Sequence, residues 1–241
     1  MSVNANRVRA MYRKELREYR RNRVIVATMA VLPIGILIFP LLFVIALPAS
    51  MAGSLRNGDP LVILLGIPAL VPSVVATYAV IGERQQGTLE PVLTTPIRRE
   101  ELILGKALAA LAASLTVAYA VYAFFLVCTW TMAQPEVASA VMQPRYLIAQ
   151  VLFTPLLAAW SIWVGMAVST RSSDVRAAQQ LGSLAGLPVI LLAYLIAFKV
   201  IQATPALAVL IAVVLLILDF LGWRFVSAVF DRERLIAGTR D

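Results

Sequence analysis

Apolar runs too long for the interior of a small soluble domain dominate this chain and decide what it can become. About 30 Å of hydrocarbon divided by a rise of about 1.5 Å per residue asks for roughly 20 apolar residues per helical span. Six segments meet that length, at about Val24 to Leu47, Leu61 to Gly82, Ala107 to Ala133, Tyr146 to Thr170, Leu181 to Val200 and Pro205 to Phe230. None shows the alternation of lipid-facing and lumen-facing residues that a membrane β-barrel needs, so strands are excluded. Hydrophobic residues make up 61% of the 241 and charged residues 14%. Soluble domains run at roughly half and one quarter. The expected fold is an all-α membrane protein of six transmembrane helices.

The charges that remain are concentrated at the ends of the apolar blocks. With six spans the connecting segments fall into two sets. One holds Arg7, Arg9, Arg13, Lys14, Arg17, Arg20, Arg21, Arg23, Arg84, Arg98, Arg99, Lys106, Arg171, Arg176, Arg224, Arg232, Arg234 and Arg240, and the other only Arg56, Arg145 and Lys199. A division of 18 against 3 places both termini in the cytoplasm by the positive-inside rule. The same distribution argues against nucleic acid as a partner, since the net charge of +8 forms no continuous basic face or arm. Cys128 is the single cysteine and there is no histidine. Disulfide frameworks, cysteine zinc sites and His-based triads are therefore unavailable, and no metal site is expected.

Residues 1–23 read as an amphipathic interfacial helix and 24–241 as the six-span domain. Val8, Met11, Tyr12, Leu16 and Tyr19 share one helical face, with Arg and Lys filling the rest. Such a helix lies at the headgroup level, where aromatic edges and snorkelling arginines are favoured, and serves as an anchor or as a lever against a cytoplasmic partner. Pro33 and Pro40 in the first span, and Pro68 and Pro72 in the second, are expected to bend their helices, either as ordinary membrane prolines or along a pathway. Gly182 and Gly186 form a small-xxx-small step that marks close helix packing, within one protomer or between two. Asp219 is the one acid well inside a span, placed to reach interfacial water or an arginine.

The long basic-side loop between the second and third spans, residues 83–106, carries the most specific pattern. Thr88 can cap a short helix, with Glu90 and Pro91 in its first turn, and Thr95-Pro96 repeats that start signal. The loop thus reads as a short helix, a turn, and a second helix feeding the third span. Glu83-Arg84, Gly87-Thr88-Leu89-Glu90, Leu93, Pro96, Arg99, Glu101 and Gly105-Lys106 fill twelve positions of a pattern at matching spacing. The pattern is an acidic-basic pair, Gly-Thr-Leu-Glu, an apolar pair, Pro, Arg-x-Glu and Gly-Lys. In this the chain resembles the permeases of the type-2 ABC-transporter family, departing from it at Pro91 and Arg98.

The resemblance implies that this loop is a coupling helix that docks on a separate ABC-type ATPase. It also implies a multi-pass protein of a prokaryotic cell membrane, paired with a second permease chain as homodimer or heterodimer above two ATPase copies. ATP and Mg would belong to the partner. Gly105-Lys106 does not complete a phosphate loop in this chain, because Glu100 stands at the first Gly position and Ala107 follows the Lys. Neither enzymatic activity nor a cofactor of its own is expected. The sparsely polar spans point to a hydrophobic or amphipathic substrate rather than a small ion, and export is the expected direction. Against this stand a non-transporting scaffold or sensor bound to an ATPase, an intramembrane enzyme, which isolated Asp219 does not supply, and a secondary carrier, which would carry repeats and several buried ionisable residues.

Overall fold

A computed structural model describes residues 4–57, 59–85, 98–172, 174–197 and 204–229, and among these the regular structure is entirely helical. Helix α1 is Ala5–Arg21 and α2 is Arg23–Ala46. Asn22 makes the joint between them. Its N–H donates to the Glu18 carbonyl at 2.9 Å, closing α1. Its side-chain oxygen accepts from the N–H groups of Val24 and Ile25 at 3.0 and 3.3 Å, opening α2. One residue therefore satisfies orphan groups on both sides of the turn.

A 3₁₀ segment, Ala49–Asn57, leads to α3, Asp59–Leu64, and α4, Gly66–Gln85. Leu65 interrupts the second span, and Pro68 falls in the first turn of α4, where a missing N–H costs little. Helix α5, Arg99–Met132, runs eight residues below the apolar run that predicted it. Hydropathy marks the span within a helix and not the end of that helix, which continues through charged residues. Short α6, Pro135–Val141, packs on the 3₁₀ segment and forms a cap over one end of the bundle, burying Leu55, Val137 and Val141. Helix α7 is Pro144–Arg171.

The fifth predicted span, Leu181 to Val200, is not one helix. It divides into α8, Val175–Ser183, a 3₁₀ turn at Leu184–Gly186, and α9, Leu187–Ala197, with 198–200 outside the described residues. Pro188 has no N–H for the Leu184 carbonyl four residues back, and the 3₁₀ turn lies at that missing bond. The last helix, α10, is Pro205–Val229. Five helices among the described residues are long and apolar enough to cross a membrane, Arg23–Ala46, Leu61–Tyr78, Glu100–Met132, Pro144–Thr170 and Pro205–Val229.

Helix α4 is the centre of the bundle, packed against α7, α8, α5 and α2. The window Leu61–Tyr78, which runs from α3 into α4, is 67% buried, while that of α10 is 6% buried and presents Val209, Ile217, Phe220 and Phe225 outward. The α4–α7 contact is made backbone to backbone. A Cβ on Gly165 would stand 2.5 Å from the Ser73 carbonyl oxygen, so only glycine allows the approach. The Ser161 hydroxyl donates to the Ala69 carbonyl at 2.8 Å and accepts from the Ser73 N–H at 3.0 Å. These are the groups that ordinarily pair along a helix, and Pro72 stands between them. Thr77 donates to the Gly165 carbonyl at 3.3 Å. Gly182 joins the same seam, where an added Cβ would meet the Thr77 hydroxyl at 3.2 Å, and Gly186 presses on Leu70. Both glycines thus pack within the protomer, the expected behaviour of small residues where lipid gives no hydrophobic drive to association.

Candidate coupling site at the basic end of the bundle

Of the twelve loop positions, Gly87, Thr88, Leu89, Glu90, Leu93 and Pro96 lie outside the described residues. Glu83 and Arg84 occupy the last turn of α4, and Arg99 is the first residue of α5. The loop therefore leaves one span and enters another as continuous helix on both sides. Three further positions, Glu101, Gly105 and Lys106, are brought together on one face of α5, and each of them faces α1.

Glu101 ties two helix starts into one knot. Its Oε2 accepts from the Arg98 N–H at 3.0 Å, which caps α5, and its Oε1 accepts from the Asn4 N–H at 2.9 Å, at the N-cap of α1. The Arg7 guanidinium approaches Oε2 at 3.5 Å. A carboxylate here answers unpaired N–H groups and the positive end of two helix dipoles at once. The described helix begins at Arg99 with Arg98 as N-cap and the N3 carboxylate of Glu101 on the cap N–H, and the start signal expected at Thr95-Pro96 lies outside the described residues.

Gly105 makes the contact close. A Cβ there would stand 2.6 Å from Met11 Cβ and 3.3 Å from the Val8 carbonyl oxygen. One residue on, Lys106 Nζ donates to Glu15 Oε1 at 2.8 Å, and both side chains are 1% exposed. Lys14 reaches the same oxygen at 3.3 Å and also Glu18 at 3.2 Å. Glu15 sits inside the apolar face of α1, between Tyr12 and Tyr19, where an unpaired carboxylate would be prohibitive. The proposed interfacial face is thus turned largely onto protein: Met11 and Tyr19 are buried, and Val8, Tyr12 and Leu16 are half-buried.

Sequence reasoning missed Glu15, Asn4 and Arg7 as partners. The only available signal was an acid at the wrong place on an amphipathic helix. It also missed the Ser73, Thr77, Ser161 and Gly165 seam, whose four-residue spacings were the legible hint. Asp219 does not reach an arginine among the described residues. Arg224 lies over the Phe220 ring at 5.9 Å, and Asp219 Oδ1 is buried without a hydrogen-bond partner. No group of three or more metal-ligating side chains occurs among the described residues.

A multi-pass helical membrane subunit is what this fold and this basic-end knot define. The family model described as ABC-2 family transporter protein matches residues 9–230, and the chain belongs to that family. It is the membrane permease subunit of an ABC transporter, in a family whose membrane subunits generally work with ABC ATPase partners. No curated protein matches the chain.

Proposed function

We propose that this chain forms one half of an ATP-driven exporter and that residues 83–106 dock on a separate ATPase. Two permease chains, identical or closely related, enclose the pathway above two ATPases, which bind the ATP and Mg. In this reading the chain spans the cell membrane of a prokaryote six times, with the split 181–200 region as the fifth span. Both termini and the coupling loop then lie on the cytoplasmic side, where 18 of the 21 basic residues cluster.

The observation that carries the reading is the knot at Glu101, Gly105 and Lys106. A loop that merely joins two spans has no need of a buried ion pair to an N-terminal helix. A loop that receives force does, because movement delivered to it must be shared by α1, α4 and α5 to rock the spans as a unit. An apolar cavity of about 420 Å³ between α7, α9 and α10, lined by Phe153, Leu157, Trp160, Leu192, Ile211 and Leu215, supports a cargo with a substantial apolar part. The test is co-purification. Leu89→Ala with Glu90→Lys leaves the permease inserted and abolishes recovery of the ATPase; full recovery of the complex overturns the proposal.

A further inference from the structure

A groove of about 630 Å³ runs where α1 leans on α5, walled by Arg9 and Tyr12 on α1 and by Leu104, Leu108, Leu111 and Leu115 on α5. The four leucines follow a four-three-four spacing and so form one stripe. From Leu104 to Leu115 the helix rises about 16 Å, which is about half of a 30 Å hydrocarbon core, the depth of one leaflet. Helix α1 covers only part of this stripe, and Leu108 remains 44% exposed.

At the α1 wall stands an exposed cation. Arg7 and Lys14 are engaged by Glu101, Glu15 and Glu18. Arg9 is exposed and makes no ion pair with any described residue. An apolar channel one leaflet long with a guanidinium at its wall is complementary to one molecule type, an acyl chain carrying an anionic head. We infer that the α1–α5 groove binds a single anionic phospholipid, its chain along Leu104 to Leu115 and its phosphate on Arg9. This rests on the reading that α1 lies at the membrane surface. It goes beyond anchoring, because it assigns one lipid to one built site beside the coupling knot.

The test is native mass spectrometry of the full-length permease in detergent, with phosphatidylglycerol and phosphatidylcholine of matched chains. The wild type is expected to retain one phosphatidylglycerol about five-fold over phosphatidylcholine, the ratio that about 1 kcal/mol for one arginine gives. Arg9→Gln, on an exposed position, should erase that preference while keeping the wild-type thermal transition. Leu108→Trp should fill the groove and lose both lipids, and Arg145→Gln should change nothing. Equal retention of the two lipids by the wild type, or a preference that survives Arg9→Gln, overturns the assignment. So does quantitative cross-linking of Leu108→Cys between two copies in phosphatidylglycerol vesicles, which would make the groove an interface between copies. Lipid retention is read on the permease alone, so its failure is distinct from loss of ATPase co-purification.

Discussion

Two close helix contacts among the described residues, α4 on α7 and α1 on α5, solve the same problem with opposite chemistry. Each contains a glycine that admits the neighbour and a polar link beside it. In the α4–α7 seam Gly165 meets main chain, and the links are neutral hydroxyls at Ser161 and Thr77. In the α1–α5 seam Gly105 meets the Met11 side chain, and the link is a buried charge pair. The difference follows from position. Deep in the bundle a charge would have to be desolvated in hydrocarbon, whereas at the basic end ions can be held by caps and neighbours. The lesson is that the first seam joins two spans within the bundle, while the second fastens a separate helix to the start of α5 at the basic end.

The comparison can be broken from the charged side first. Lys106→Met leaves Glu15 buried with only Lys14, and it should destabilise the α1–α5 seam by roughly 3–5 kcal/mol. Faster tryptic cleavage at the α1 arginines reports this, and a second change, Glu15→Met, should restore most of the loss. No rescue would mean that the pair is incidental. Gly165→Ala comes next, because its new Cβ collides with backbone that cannot rotate away, and overpacking of this kind costs about 1–3 kcal/mol. It should lower the thermal transition of the detergent-solubilised protein, and so should Gly105→Ala, whose new Cβ stands 2.6 Å from Met11 Cβ, an atom that no side-chain rotation moves and that Met11→Ala would retain. Smaller still, Glu101→Gln should weaken the shared cap, seen as faster hydrogen exchange at the amides of Asn4 and Arg98. Smallest is Ser161→Ala, about 1 kcal/mol for the two hydrogen bonds it removes, at roughly 0.6 kcal/mol for each between membrane helices. If Ser161→Ala proved costlier than Lys106→Met, the contrast between the seams would be reversed.

Much of this was readable before any coordinates. Residues 23–46, 144–171 and 205–229 coincide with apolar runs within a few residues, because hydropathy and helix length are fixed by the same bilayer. The apolar face of α1 was visible in its spacing, and the loop pattern identified the family. What could not be read was pairing across the chain. Glu15 and Lys106 are 91 residues apart, and nothing local says that an acid within an apolar stripe has a lysine waiting. Glu101 resembled part of a docking motif and in the structure also caps two helices, a role that needs the position of Asn4. The run from Leu181 to Val200 looked like one helix because apolar content does not record the 3₁₀ turn at Leu184–Gly186.

The central claim is that α1 and the end of the coupling loop form one mechanical body. An ideal Cβ at 105 would stand 2.6 Å from Met11 Cβ, so paired cysteines at these positions can be bridged after a give of about 1 Å. Met11→Cys with Gly105→Cys, in a Cys128→Ala background, should oxidise completely and leave permease-stimulated ATP hydrolysis by the assembled complex unchanged. Hydrolysis that stops on oxidation and returns on reduction would show that the two helices must part during the cycle, and would contradict the account.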